Sequence, residues 1–191
     1  MQTERFRSLM AAAIVAALPA SGFAQSMMSS SANPMVGGSQ MYPTRNVIEN
    51  VVNSKDHTTL VAAVKAAGLV QTLEGPGPFT VFAPTNEAFA ALPAGTVDTL
   101  LKPENKAELT KILTYHVVAG KYYTADLKSL IERDGGKAEL PTVAGPDLTF
   151  TIGGDGAVEV TDAKGDVAEI TIADVTQSNG VIQVINKVLL P

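Results

Sequence analysis

Phe79-Thr80-Val81-Phe82-Ala83-Pro84-Thr85-Asn86-Glu87-Ala88-Phe89 runs a strand into a helix with no spacer between them. Phe79 to Ala83 is rich in β-branched and aromatic residues and follows Gly75-Pro76-Gly77-Pro78, which cannot continue a helix and so marks a strand start. Pro84 has no N–H to give a ladder, so the strand ends there. Thr85 or Asn86 can accept a hydrogen bond from the orphan N–H groups of the next turn, and Glu87 lies where the helix dipole favours an anion. Ala88, Phe89 and Leu92 supply the inward face. The segment is a strand-to-helix corner with both ends anchored in a core.

Outward from this corner, the 191 residues provide for one ordinary domain. Arg5 and Arg7 precede an apolar run from Leu9 to Leu18, and Gly22-Phe23-Ala24 offers small residues where a signal peptidase reads. The run is shorter than the ~20 apolar residues of a membrane span, so residues 1–24 read as a cleaved secretory signal with no stable anchor left behind. Loss of Glu4, Arg5 and Arg7 leaves the remainder one charge more acidic than the −5 of the whole chain, which argues against nucleic acid as a partner. Absence of cysteine removes disulfides and thiol chemistry, and is compatible with a periplasmic or extracellular location.

Residues 25–44 are Ser, Met, Gly, Pro and Asn without apolar periodicity, the composition of a flexible linker. Met27, Met28, Met35 and Met41 are soft ligands that can hold Cu(I), but their spacing is irregular and no His joins them, so a plain tether is the preferred reading and no cofactor is assigned. Order is expected from Arg45. Asn46 can cap a helix carrying Val47, Ile48, Val51 and Val52, and a second helix starts near Asp56 or Thr58 with Leu60, Val61, Val64 and Leu69 at helical spacing, Gly68 interrupting it. His57 is expected at the solvent-facing start of that helix. Thr96 to Leu101 and Pro103 to Leu113 read as helices, the latter with Leu109, Ile112 and Leu113 inward. Thr114 to Val118 reads as a strand and Thr124 to Arg133 as a helix closed by Gly135-Gly136.

Thereafter the chain changes character. Leu140, Val143, Leu148 to Ile152, Val158 to Thr161 and Val167 to Ile172 are short β-rich runs separated by Gly-rich turns, which predicts an antiparallel meander. Helices first and strands later argue α+β. The turn Asn179-Gly180 opens a closing strand, Val181 to Leu190, whose row Ile182, Val184, Asn186, Val188 and Leu190 is expected to face the core, with Asn186 hydrogen-bonded there.

The corner Phe79 to Phe89, the pair Tyr115-His116 after an apolar helix, and the closing stretch Asn179 to Pro191 together resemble, in order and spacing, the two signature segments and the central Tyr-His motif of the fasciclin domain family. The resemblance covers residues 45–191. It implies a wedge of about seven strands, mostly antiparallel, flanked by several short helices, with the two signature segments adjacent at the sheet centre. It further implies a secreted or surface module of cell adhesion and matrix contact, with no common catalytic activity and an unidentified cell-surface or matrix protein or glycan as partner.

Within that resemblance, Tyr115 and His116, flanked by Ile112, Leu113, Val117 and Val118, match a motif implicated in integrin-dependent adhesion in animal members. The same pair, between a buried helix and a strand, equally reads as packing with satisfied hydrogen bonds. Lys164-Gly165-Asp166 resembles an integrin-recognition tripeptide and is also ordinary turn chemistry. Asp155, Asp162, Asp166 and Asp174 lack the spacing of a Ca²⁺ loop and read as turn residues and solvated strand ends, so no metal is assigned. No Gly-x-Ser-x-Gly elbow, His-Glu-x-x-His or phosphate-binding loop is present, which argues against an enzyme. The alternative function is binding of a small apolar pigment or lipid in a cleft between helices and sheet, a reading weakened by the absence of Trp.

Overall fold

In the computed structural model, which describes residues 33–191, order begins ahead of Arg45. Met35–Val36 (β1) and Ser39–Gln40 (β2) form a small antiparallel hairpin, and Val36 and Met41 are buried in the core. The linker therefore ends earlier than its composition indicated, because two apolar side chains in a polar run suffice to dock it. The expected signal, residues 1–24, lies outside the described residues, as do the first residues of the linker.

Helix α1 (Val47–Val51) opens with a capping box in which Asn46 Oδ1 accepts from Glu49 N–H and Glu49 Oε2 accepts from Asn46 N–H, both at 2.9 Å. A 3₁₀ turn, Lys55–His57, leads into α2 (Thr58–Ala67), which stops at Gly68 in the left-handed region, φ 74°, before α3 (Val70–Glu74). The corner follows as β3 (Phe79–Pro84) and α4 (Asn86–Ala90), with Thr85 as the cap, its hydroxyl accepting from Ala88 N–H. Asn86 is spent otherwise: its Oδ1 accepts from Thr58 Oγ1 and Thr59 N–H, and its Nδ2 donates to the Lys55 carbonyl, tying the corner to the start of α2.

His57 is a correction. It is 1% exposed, with Nδ1 bonded to Ser54 Oγ at 2.9 Å and Nε2 without a partner among the described residues. The β1–β2 turn covers this segment, where Lys55 N–H donates to the Gly37 carbonyl. Burial depresses the imidazole pKa, while the Ala83 carbonyl and Asp56 pull it upward.

Beyond α4 come α5 (Thr96–Leu100), a 3₁₀ turn at Pro103–Asn105 and α6 (Lys106–Tyr115), then β4 (Val117–Ala119) and α7 (Thr124–Arg133). The strand expected over Thr114 to Val118 is therefore a helix end followed by a shorter strand. Thr114 keeps its helical position by donating Oγ1–H to the Thr110 carbonyl, which the β-prone composition of this stretch conceals. Strands β5 (Lys137–Pro141), β6 (Asp147–Ile152), β7 (Val158–Thr161), β8 (Val167–Gln177) and β9 (Gly180–Ile185) complete the chain.

Seven strands form one sheet in the order β4-β3-β9-β8-β7-β6-β5, antiparallel throughout except for the central parallel pair β3–β9. Just past β5, Thr142 bridges to Val118, and Val143 N–H donates to the Val117 carbonyl, so the sheet curls until its two edges meet. One core packs α1 to α6 against β3 and β9 through residues such as Val51, Leu60, Val64, Leu113 and Ile182. A second fills the curl beneath α7 with Phe82, Leu127, Phe150, Val160 and Ile185.

Being central, β9 is buried on both faces: Ile182 and Val184 enter the first core, and Ile185 the second. One-sided parity, expected for the closing strand, thus gives way to two covered faces. Asn186 lies just past the strand and is exposed, yet its Oδ1 accepts from Glu169 N–H at 2.9 Å.

Candidate functional site

Tyr115 and His116 close α6 and point into different parts of the interior. The Tyr115 ring belongs to the second core, and its hydroxyl donates to the Asp147 carbonyl at 3.1 Å and accepts from Ala163 N–H at 2.9 Å. One side chain thereby holds the start of β6 and the β7–β8 turn to the end of α6. His116 is 2% exposed; Nδ1–H donates to the Ile112 carbonyl at 2.8 Å, which leaves Nε2 to accept from Leu189 N–H at 2.9 Å. Its ring thus fastens the segment after β9. Ile112, Leu113, Val117 and Val118, the flanking residues, are all at most 6% exposed.

Asp162 completes this clasp. It is buried, its Oδ1 accepts from Lys164 and Asp166 N–H, and its Oδ2 accepts from Leu190 N–H, all at 2.9 Å. Asp162 is a turn residue as expected but not a solvated one: its bond to Leu190, which no local pattern signals, draws it inside. Burial drives the His116 pKa down to about 4, opposed by the Ile112 carbonyl and by Asp162; the Tyr115 hydroxyl is raised, again chiefly by burial. At neutral pH the imidazole is uncharged with both nitrogens engaged, so it has no lone pair to offer a substrate proton or a metal in this arrangement.

Lys164-Gly165-Asp166 stands exposed at the β7–β8 tip, its backbone gathered by the Asp162 carboxylate and Gly165 in the left-handed region, φ 88°. Asp155 caps its own turn at Ala157 N–H, and Asp174 Oδ1 accepts from Thr124 N–H, Thr124 Oγ1 and Gln183 Nε2, holding the start of α7 on the sheet. The four aspartates are not brought together. Among the described residues, no group of three or more His, Cys, Asp or Glu is placed to hold a metal ion.

Between α1, α2, α3 and β3 lies an apolar cavity of about 30 Å³, lined by residues including Val51, Leu60, Val64, Val81 and His116. That volume has room for one or two water-sized groups, far below the ~300–1,000 Å³ of a small-molecule cleft. No helix among the described residues is long and apolar enough to cross a membrane.

A solved structure shares this fold. The fasciclin domain pair from the insect cell adhesion molecule fasciclin I superposes with a TM-score of 0.67 over 77% of this chain and 51% of that chain, at 19% identity. A profile of the fasciclin domain matches residues 55–191. The chain belongs to the fasciclin domain family.

Protein sll1483 of Synechocystis sp. is 52% identical over 145 residues, which cover 76% of this chain and 73% of that protein. Immunogenic protein MPB70 of Mycobacterium bovis is 36% identical over 73% of this chain and 65% of its own length. The transforming growth factor-beta-induced protein ig-h3 of Sus scrofa is also 36% identical, over 78% of this chain but only 20% of its own. Fasciclin domains are modules of cell-adhesion proteins, and the family is a non-enzymatic one.

Proposed function

We propose that this chain is an exported, non-catalytic adhesion module, secreted or periplasmic after loss of residues 1–24, that joins a cell-surface or matrix component through its solvent-facing side chains. The observation that carries the reading is the complete internal engagement of the Tyr115–His116 pair within a fasciclin domain. A buried pair with every polar atom spent shapes the surface rather than meeting a partner. Its role on this reading is to fix the β7–β8 turn and the segment after β9 as parts of the fold.

A pull-down of the mature domain against envelope fractions and matrix proteins tests the proposal, with capture expected for the folded wild type. Absence of capture from every fraction would count against it. The pigment or lipid alternative requires α1 to α3 to part, since the cavity there is only about 30 Å³. An absorbing chromophore or extractable lipid on the purified protein would favour that alternative.

A further inference from the structure

Asn179-Gly180 carries the chain from β8 into β9 and is its single Asn-Gly sequence. An asparagine before glycine is the pair most prone to spontaneous deamidation, because glycine has no Cβ to keep its backbone nitrogen away from the neighbouring amide carbon. In that reaction Gly180 N attacks Asn179 Cγ and a new C–N bond closes a cyclic imide. The Cγ–Nδ2 bond breaks, and the departing nitrogen takes the Gly180 proton with it as ammonia. Water then opens the imide to aspartate or to isoaspartate, the latter with an added methylene in the main chain.

The fold holds both reacting groups apart. Asn179 Oδ1 accepts from Val47 N–H at 3.1 Å, and Nδ2 donates to the Leu73 and Gly75 carbonyls at 2.8 and 3.1 Å, so the amide is committed to α1 and the end of α3. The main chain is pinned as well. The Asn179 carbonyl accepts from Phe79 N–H at 3.1 Å, and Ser178 N–H donates to the Arg45 carbonyl at 2.9 Å. Gly180 is buried between its register partners, Phe79 of β3 and Gln177 of β8. The rotations that would bring Gly180 N against Cγ require these ties to be broken together.

The products do not fit the place that the amide leaves. An aspartate still offers an acceptor to Val47 N–H, but it sets a carboxylate oxygen against the two carbonyls that Nδ2 served, acceptor against acceptor. Isoaspartate lengthens the main chain where there is no slack. A Cβ on Gly77 would collide with the Asn179 carbonyl oxygen, and one on Gly180 with that of Phe79. Either product falls at the entry to the parallel pair β3–β9, the centre of the sheet.

We infer that Asn179-Gly180 is a fold-gated deamidation site: the closed corner withholds the amide from reaction, and a chain that deamidates while open cannot close the corner again. The site sets the lifetime of the folded chain, which goes beyond the adhesive reading and stands whether or not that reading does.

The full chain is incubated at neutral pH in buffer and in denaturing urea, and deamidation is followed residue by residue by peptide mapping with mass spectrometry, with Asn53 and Asn186 as internal references. In urea Asn179 is expected to react first. In buffer its rate should be at least about a hundredfold lower, the factor by which three ordinary hydrogen bonds reduce the population of the opened turn. Chains modified at Asn179 are then separated by anion exchange and returned to buffer, where they should fail to recover the wild-type Tm, while unmodified chains from the same incubation recover it. Asn179→Asp supplies the charge without the added methylene and should fold with a lowered Tm. A native rate within about threefold of the urea rate overturns the inference, since the closed corner would then contribute less than one hydrogen bond of protection. So does an Asn179 that stays intact in urea, or a chain modified at Asn179 that regains the wild-type Tm.

Discussion

Acidification from pH 7 to 5 is expected to cost the domain about 2 kcal/mol through His116 alone. In the unfolded chain this imidazole titrates near its ordinary value of 6.5, while in the fold burial holds it at about 4. The folded state therefore refuses a proton that the unfolded state takes up, and the stability so gained is present above pH 6.5 and lost as pH falls toward 4. Converted through the linkage relation, the full shift corresponds to about 3 kcal/mol, of which about 2 is gone by pH 5. His57, whose pKa is also lowered, acts with the same sign, so the His116 share must be isolated by difference. Urea unfolding followed by far-ultraviolet circular dichroism at pH 7 and 5, for wild type and His116→Gln, provides that difference. The variant should start less stable, because the buried Leu189 N–H loses its acceptor, yet lose about 2 kcal/mol less on acidification. Equal acid loss in both proteins, or a proton resonance of His116 titrating near 6.5 in the native state, would refute the reasoning.

Other perturbations follow from the ties that hold the corner and the clasp. Asn179→Ala removes the acceptor of Val47 N–H and the donor to the Leu73 and Gly75 carbonyls, and chemical denaturation should show a loss of roughly 2–4 kcal/mol. Gly180→Ala drives a Cβ into the Phe79 carbonyl at the start of the β3–β9 pair, and should cost about 3 kcal/mol or more, read as a large fall in Tm. Tyr115→Phe deletes the hydroxyl that joins the Asp147 carbonyl to Ala163 N–H, for about 1–2 kcal/mol, and amide exchange should accelerate at Ala163 before it does in β3 or β9.

Much of the fold is legible along the chain because its signals are local. The corner at Pro84 and Thr85, the α7 limits at Thr124 and Arg133, and the break at Gly68 each rest on chemistry within a few residues. What local pattern concealed depends on distant partners. His57 looks like a surface residue until the β1–β2 turn is laid over it, and that hairpin is too short to show a period. Thr114 and Tyr115 have the composition of a strand, but α6 carries through them and tertiary burial of Tyr115 outweighs propensity. Both rows of β9 are covered because α1 to α6 lie on one side and the curl on the other, which alternation in one strand cannot disclose. Within the candidate site, the Tyr-His pair stood out from the sequence, whereas Asp162 gains its place only through Leu190, 28 residues away.

Capture of envelope and matrix material by wild type, Tyr115→Phe and His116→Gln, normalised to the fraction folded, tests the central claim most directly. If the pair serves as a clasp beneath the surface, both variants capture as much per folded molecule as wild type while their Tm falls. Loss of capture by a variant whose Tm and circular dichroism match wild type would place the contact on Tyr115 or His116 itself and contradict the account.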